Sequence, residues 1–299
     1  MIRLALTLGD PRGIGPEIAA KALSDPRIAA LGASWHVIGP TGTPVPVHES
    51  VGVWTPTGHG VEHIALAGRL AGLAVARAAR MALAGEVSGI VTAPLDKAAL
   101  KAGGFDYPGH TEMLAELAGV PTTMMLASDR LRVVLATTHI PLREVPAAVT
   151  REALLQAAYA TREGLRRDFG IAEPRLALCA LNPHAGDSGR FGHEDDDLLA
   201  PVARESGMAG PYPADTVFVR AMRGEFDDVI APYHDVGMTA IKVASFGHAV
   251  NVTLGLPFVR TSPDHGTALD IAGQGVASAE SLVAAMQLAV DMVERRRAR

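Results

Sequence analysis

Short apolar runs, most of them closed by a glycine, proline or histidine, recur along this chain and limit what it can fold into. Ile2–Leu8, Trp35–Ile38, Gly89–Ala93, Thr122–Leu126, Leu131–Thr137, Arg175–Leu181 and Asp227–Pro232 are too brief for helices and read as strands. Segments of helical period lie between them. Glu62–Ala84, with Leu66, Leu70, Leu73 and Ala78 on one face, is ended by Gly85. A second helix is capped by Thr150 and stopped by Gly170, and a last one runs from Ser278. Strands alternating with helices make an α/β chain. Its bulk is Ala, Val, Leu and Gly with only 4% aromatics, which suits helices packed closely on a mostly parallel sheet. The 299 residues allow one α/β unit or two lobes, and there is no internal repeat or flexible linker. Gly39–Gly60 lacks a helical period and is expected as loop or short edge strands, with His48, His59 and His63 as surface or capping residues.

Several function classes drop out. The net charge is −5 and the one basic run is the terminal Arg295–Arg299, so no nucleic-acid partner is expected. MIRLALTLGD reads as a first strand rather than a signal peptide, and no apolar stretch reaches transmembrane length. The single Cys179 excludes an intrachain disulfide and a thiolate metal cluster; the expected compartment is cytoplasmic.

The polar residues gather where strands end. GDPRGIGPEI places Gly9, Gly13 and Gly15 around a tight turn, but a G-x-G-x-x-G fingerprint is absent. His110 and Thr111 stand at a helix start, where an anionic group would be received, with Thr111 either its N-cap or a ligand-facing hydroxyl. The acidic run Glu194–Asp197 fits a helix N-terminus better than a metal site, and PADT is a turn carrying Asp215. Three strands end in a histidine, at His139, His184 and His234. Their sequence separations match no compact metal motif, yet ligands collect at the carboxyl ends of strands in open α/β sheets. Three imidazoles leave a divalent cation its full charge, which favours an alkoxide or enolate oxygen. Lys242, Asn251 and Arg260 together look like a receptor for phosphate or carboxylate.

GDPRGIGPEI, TAPLDK, PGHTE, TTHIPLRE, LNPHAGD, PADTVF, YHD and NVTLGLPFVRTSPDHGTALDIAG follow one another between residues 9 and 273. In that order they resemble the 4-hydroxythreonine-4-phosphate dehydrogenase family of vitamin B6 biosynthesis. The resemblance implies an isocitrate/isopropylmalate dehydrogenase-like fold: two interleaved α/β lobes over residues 1–299, helices on both faces of a mixed, largely parallel sheet, and an active site in the cleft. It implies a homodimer with shared sites. It makes His139, His184 and His234 ligands of one divalent metal (Zn, Mg or Co), one of them supplied by the dimer mate. It makes His110, Thr111, Lys242, Asn251 and Arg260 substrate contacts. The turn from His265 to Gly273, with Gly266 and Asp270, is similar to the stretch that holds the adenosine end of NAD (or NADP), and displaces the Gly13/Gly15 turn from that role.

The implied reaction is oxidation of the secondary hydroxyl of 4-phosphohydroxy-L-threonine, followed by decarboxylation to 3-amino-2-oxopropyl phosphate. Asp235 and Asp215 are base or orienting candidates, with Lys97 as an outsider. Three departures from the family pattern bear on the substrate: Val236-Gly237-Met238-Thr239 after YHD, FGHAV with His248 before Asn251, and a short Gly39–Gly60 region. The alternatives are a 4-phospho-D-threonate or 4-phospho-D-erythronate 3-dehydrogenase and, in another class, a non-catalytic binder of a phosphorylated metabolite.

Overall fold

The computed structural model describes residues 1–245 and 248–298. Phe246 and Gly247, which open the FGHAV departure, and Arg299, the end of the basic run, lie outside the described residues. Eleven strands are present among those described: β1 (Arg3–Thr7), β2 (Ser34–Thr41), β3 (Glu49–Val53), β4 (Gly89–Thr92), β5 (Thr123–Ala127), β6 (Arg132–Leu135), β7 (Leu176–Cys179), β8 (Ala209–Tyr212), β9 (Asp228–Ala231), β10 (Val250–Leu254) and β11 (Val259–Pro263). The chain divides into two compact units, Met1–Thr122 with Leu256–Arg299, and Thr123–Gly255. Within the described residues no helix is long and apolar enough to cross a membrane.

The first unit runs β3-β2-β1-β4-β11, parallel throughout. The expected edge strand in Gly39–Gly60 is β3, and His48 is part of its pairing: its Nδ1 accepts from Val37 N at 3.1 Å. His63 instead lies against Trp54, with ring centroids 4.1 Å apart. The long helix Val61–Leu83 buries Ala74, Val75, Ala78 and Met81 against Ile38 and Ile90. It also approaches the helix Lys97–Ala102 so closely that a Cβ on Gly68 would collide with the backbone of Ala99. Glycine is needed there for lack of a side chain, not for its dihedral freedom. The helix Glu280–Arg297 packs on β4 and β11, and Thr261 Oγ1 donates to Ala285 O at 2.8 Å.

The second unit runs β10-β5-β6-β9-β7-β8. β10–β5 and β5–β6 are antiparallel and the remaining pairs are parallel, so this sheet is mixed. The helix Arg151–Phe169 is bounded as its sequence requires: Thr150 Oγ1 accepts from Ala153 N at 3.2 Å, and Gly170 closes it in the left-handed conformation. Its Gly164 sits on Leu254. The helices Ala214–Met222 and His234–Ser245 cover a core built from Leu126, Leu135, Cys179, Val229 and Ala231.

Two local expectations are corrected. PADT is not a turn: Pro213 precedes the helix Ala214–Met222, and Asp215 lies in its first turn. Thr111 is not a helix cap, because Gly109 takes that position and Thr111 is the second helical residue of His110–Ala118.

Candidate active site

In the first unit the parallel register sets Arg260 beside Ile90 and Thr261 beside Val91. Alternation along β4 then puts Thr92 on the same face as Arg260, and Arg260 Nη2 donates to Thr92 Oγ1 at 2.7 Å. Arg260 is only 2% exposed. Burial lowers its pKa to about 10, opposed in part by the carboxylate of Glu112, so the guanidinium stays charged at neutral pH. His110 opens the helix His110–Ala118 beside it. Burial, and then the charges of Arg260 and Lys97, hold its pKa well below the ordinary histidine value. It is therefore a neutral imidazole, and its buried Nε2 has no hydrogen-bond partner among the described residues. A buried polar atom left so is costly unless a ligand completes it. Thr111 and the helix start add backbone N–H donors. One buried cation, one exposed Lys97 and a helix N-terminus are the kinds of group that receive an anion.

Lys97 reaches this place through a chain of short-range contacts. Asp96 Oδ1 accepts from Ala99 N at 2.6 Å and starts the helix Lys97–Ala102. The buried Asp10 pairs with Arg12 at 2.6 Å, and Arg12 lies 3.6 Å from Asp96. Gly9, at φ +68°, must be glycine, because a Cβ there would strike Pro94 O.

The proposed cofactor turn is also in this unit. Residues 264–279 form neither helix nor strand. His265 donates through Nδ1 to Gly266 O at 3.0 Å, Gln274 donates to Asp270 O at 2.7 Å, and Gly273 has φ +74°. Gly266, Leu269 and Asp270 are exposed. The Gly13/Gly15 turn and this one are in contact: Ile14 N donates to Thr267 O at 2.9 Å, and a Cβ on Gly13 would lie 2.7 Å from that oxygen.

The second unit holds the three strand-end histidines, and it brings two of them together. His139 follows β6, His234 begins the helix after β9, and their ring centroids are 5.4 Å apart. His184 stands apart from that pair, 6.4 Å from the ring of Phe191. Among the described residues no three His, Cys, Asp or Glu side chains of the chain converge as a metal site. The paired residues do fit a metal in their chemistry. Asp235 Oδ1 lies 2.7 Å from His234 Nδ1, which occupies one ring nitrogen and leaves Nε2 as the one that could ligate, a pairing found around metal-bound histidines. His184 has φ +54°, and Ala185, Asp187 and Ser188 are also left-handed. Such backbone persists only where its surroundings enforce it. Asp195 does so: fully buried, it accepts from Leu181 N at 2.8 Å and Asn182 N at 2.9 Å. Glu194 of the same acidic run also holds the loop, its Oε2 accepting from Asn182 Nδ2 at 2.8 Å, a role for these two acids that sequence reading missed.

Asn251 lies on β10 and Lys242 is exposed in the last turn of the helix His234–Ser245. Asn251 Nδ2 meets Met124 Sδ at 3.5 Å, and among the described residues its buried Oδ1 has no hydrogen-bond partner. Asp215 and Asp235 are exposed, at the starts of their helices. Of the residues that depart from the family pattern, Val236 and Met238 pack into the core and Thr239 and His248 are exposed. Burial pushes the Cys179 thiol up to about 12, so it is no nucleophile.

An all-parallel unit and a mixed unit, with polar residues after their strand ends, define an α/β protein of the isocitrate/isopropylmalate dehydrogenase-like type. The family described as "Pyridoxal phosphate biosynthetic protein PdxA" matches residues 47–289, and the chain belongs to it. It is 46% identical over 320 aligned residues to a 4-hydroxythreonine-4-phosphate dehydrogenase of Paracoccus denitrificans, with 98% of each chain covered. The solved 4-hydroxythreonine-4-phosphate dehydrogenase of Klebsiella pneumoniae is similar at 38% identity and a TM-score of 0.84, over 98% of this chain and all of that one. A terephthalate 1,2-cis-dihydrodiol dehydrogenase of Burkholderia xenovorans is less similar, at 30% identity and a TM-score of 0.65, over 97% of this chain and 98% of its own.

Proposed function

We propose that this chain oxidises the secondary hydroxyl of 4-phosphohydroxy-L-threonine with NAD or NADP and a divalent metal. The β-keto acid so formed loses CO2 to give 3-amino-2-oxopropyl phosphate. The observation that supports this reading best is the receptor in the first unit. A buried arginine and a neutral histidine with an orphaned nitrogen sit at a helix start, as a dianionic phosphate requires. His110, Thr111 and Arg260 bind that phosphate, and Lys97 joins them rather than acting as a base. Lys242 and Asn251 are proposed as further substrate contacts.

His139, His184 and His234 would hold the metal, with one contributed by a second copy of the chain in a homodimer. When bound, the metal supplies positive charge that lowers the pKa of a hydroxyl and stabilises negative charge developing on oxygen. The turn from His265 to Gly273, with Gly266 and Asp270, would hold the nicotinamide cofactor, which supplies the hydride acceptor. Asp235 orients His234, on the strength of their 2.7 Å contact. Asp215 takes the hydroxyl proton, as a carboxylate at an exposed helix start. The second substrate candidates, 4-phospho-D-threonate and 4-phospho-D-erythronate, draw on the change at Val236–Thr239. Since Val236 and Met238 pack into the core, that change acts on packing first, and we favour the hydroxythreonine substrate.

The test offers the purified protein NAD, a divalent metal and each of four compounds in turn: 4-phosphohydroxythreonine, 4-phosphothreonate, 4-phosphoerythronate and an aromatic cis-dihydrodiol. The first should give the highest kcat/KM for reduced cofactor. The dihydrodiol as best substrate overturns the phosphate reading, and binding without turnover of any of them favours the non-catalytic binder.

A further inference from the structure

We infer that Glu17 and Lys21 form a positioning clasp that presets the turn proposed above to hold the cofactor; the inference rests on that assignment. The two residues are four apart on the helix Gly15–Leu23 and pair at 2.9 Å, so they present one carboxylate and one ammonium side by side. Both face the segment that leaves the cofactor turn. Glu17 Oε1 accepts from Ala277 N at 2.9 Å and Oε2 accepts from Gly275 N at 3.3 Å. Lys21 Nζ donates to the carbonyls of the same two residues, at 2.8 Å to Gly275 and 2.6 Å to Ala277. One ion pair thus satisfies both donors and both acceptors of two residues in a stretch with no ladder of its own. The Lys21 bond, then the two backbone bonds, hold the Glu17 carboxyl below the usual range against the opposing effect of burial. At the other end of the turn, Ile14 N donates to Thr267 O. The GDPRGIGPEI motif therefore grips the turn at both ends, at Thr267 and at Gly275–Ala277.

Residues 264–279 include exposed glycines and form neither helix nor strand, so ordering them carries a large entropic cost. A ligand that has to order its own site binds more weakly by that amount, whereas a clasped turn is ordered before the ligand arrives. Glu17 and Lys21 touch neither substrate nor reacting atoms; they act through the turn.

The test compares Glu17→Ala, Glu17→Gln, Lys21→Met and Leu269→Asp, the last placing a charge on the exposed face of the turn itself. Dissociation constants for NAD are measured by calorimetry on the whole protein without substrate, together with amide hydrogen exchange at Gly275 and Ala277. Glu17→Ala and Lys21→Met should weaken NAD about tenfold and speed exchange at those two amides. Glu17→Gln, which keeps an acceptor, should recover part of the affinity. The far-UV spectrum and the KM for the phosphorylated substrate at saturating NAD should stay near wild type. Loss of NAD binding in Leu269→Asp but not in Glu17→Ala would overturn the clasp and leave the cofactor turn standing. Unchanged affinity in both would overturn the clasp and the cofactor assignment together.

Discussion

Asp228 begins β9 with its carboxyl fully buried, and burial pushes its pKa up to about 8 from an ordinary 3.8. The folded chain therefore holds a proton there that the unfolded chain has released, over the window between those values. Stability from this residue is fully present below pH 4, falls as pH rises, and is lost beyond about pH 8. Asp228→Asn should remove that slope. Unfolding free energies from denaturant titrations at pH 5 and pH 9 should differ for the wild type by on the order of several kcal/mol and lie closer in the variant; equal separation would show that the acid is not neutral in the folded state. Asp235 offers a second test at the same scale. Because it holds His234 by Nδ1, Asp235→Asn should weaken Co(II) or Zn(II) affinity by about 10–100-fold, measured by competition with a chelating dye. Unchanged affinity would remove Asp235 from the metal's surroundings.

Helices in this chain are fixed by different kinds of information, and the difference decides which of them the sequence reveals. Arg151–Phe169 is bounded by Thr150 and Gly170, whose chemistry is local, and its limits could be read directly. Thr150→Ala should cost about 1 kcal/mol in stability by urea denaturation. His234–Ser245 escaped sequence reading because Gly237 interrupts it. That glycine is a packing residue, since a Cβ there would lie 2.5 Å from Leu135 Cδ2. Gly68 is similar, and Gly68→Ala should destabilise by about 1–3 kcal/mol or more, because the obstacle is the backbone of Ala99 rather than a side chain that can turn away. An effect smaller than that of Thr150→Ala would contradict the packing described. The site shows the same division. Histidines after strands and a His-Thr pair at a helix start were legible, since strand ends and helix ends are local features. The burial of Arg260 against Thr92 and the inward turn of Asp195 were not, because each depends on residues far away in sequence.

At the scale of the whole molecule, His139 and His234 are paired within one chain while His184 is not among them, which suits a centre completed by a second copy. Inactive His184→Ala and His234→Ala proteins, mixed and re-equilibrated, should recover activity toward about a quarter of wild type. Half of randomly paired dimers would be mixed, and each mixed dimer would contain one intact site. No recovery, with mixed dimers present by native mass spectrometry, would place all three ligands in one chain. The central claim, that this dehydrogenase selects its substrate by a phosphate held on Arg260 and His110, is tested most directly by a cycle of four kcat/KM values. Wild type and Arg260→Ala are each assayed with 4-phosphohydroxythreonine and with its dephosphorylated form. Charge-assisted contacts are each worth about 1.5–3 kcal/mol, so removing the phosphate should cost the wild type several orders of magnitude. In Arg260→Ala the same removal should cost at least tenfold less. Equal losses in the two proteins would mean that Arg260 does not meet the phosphate, and would contradict the account.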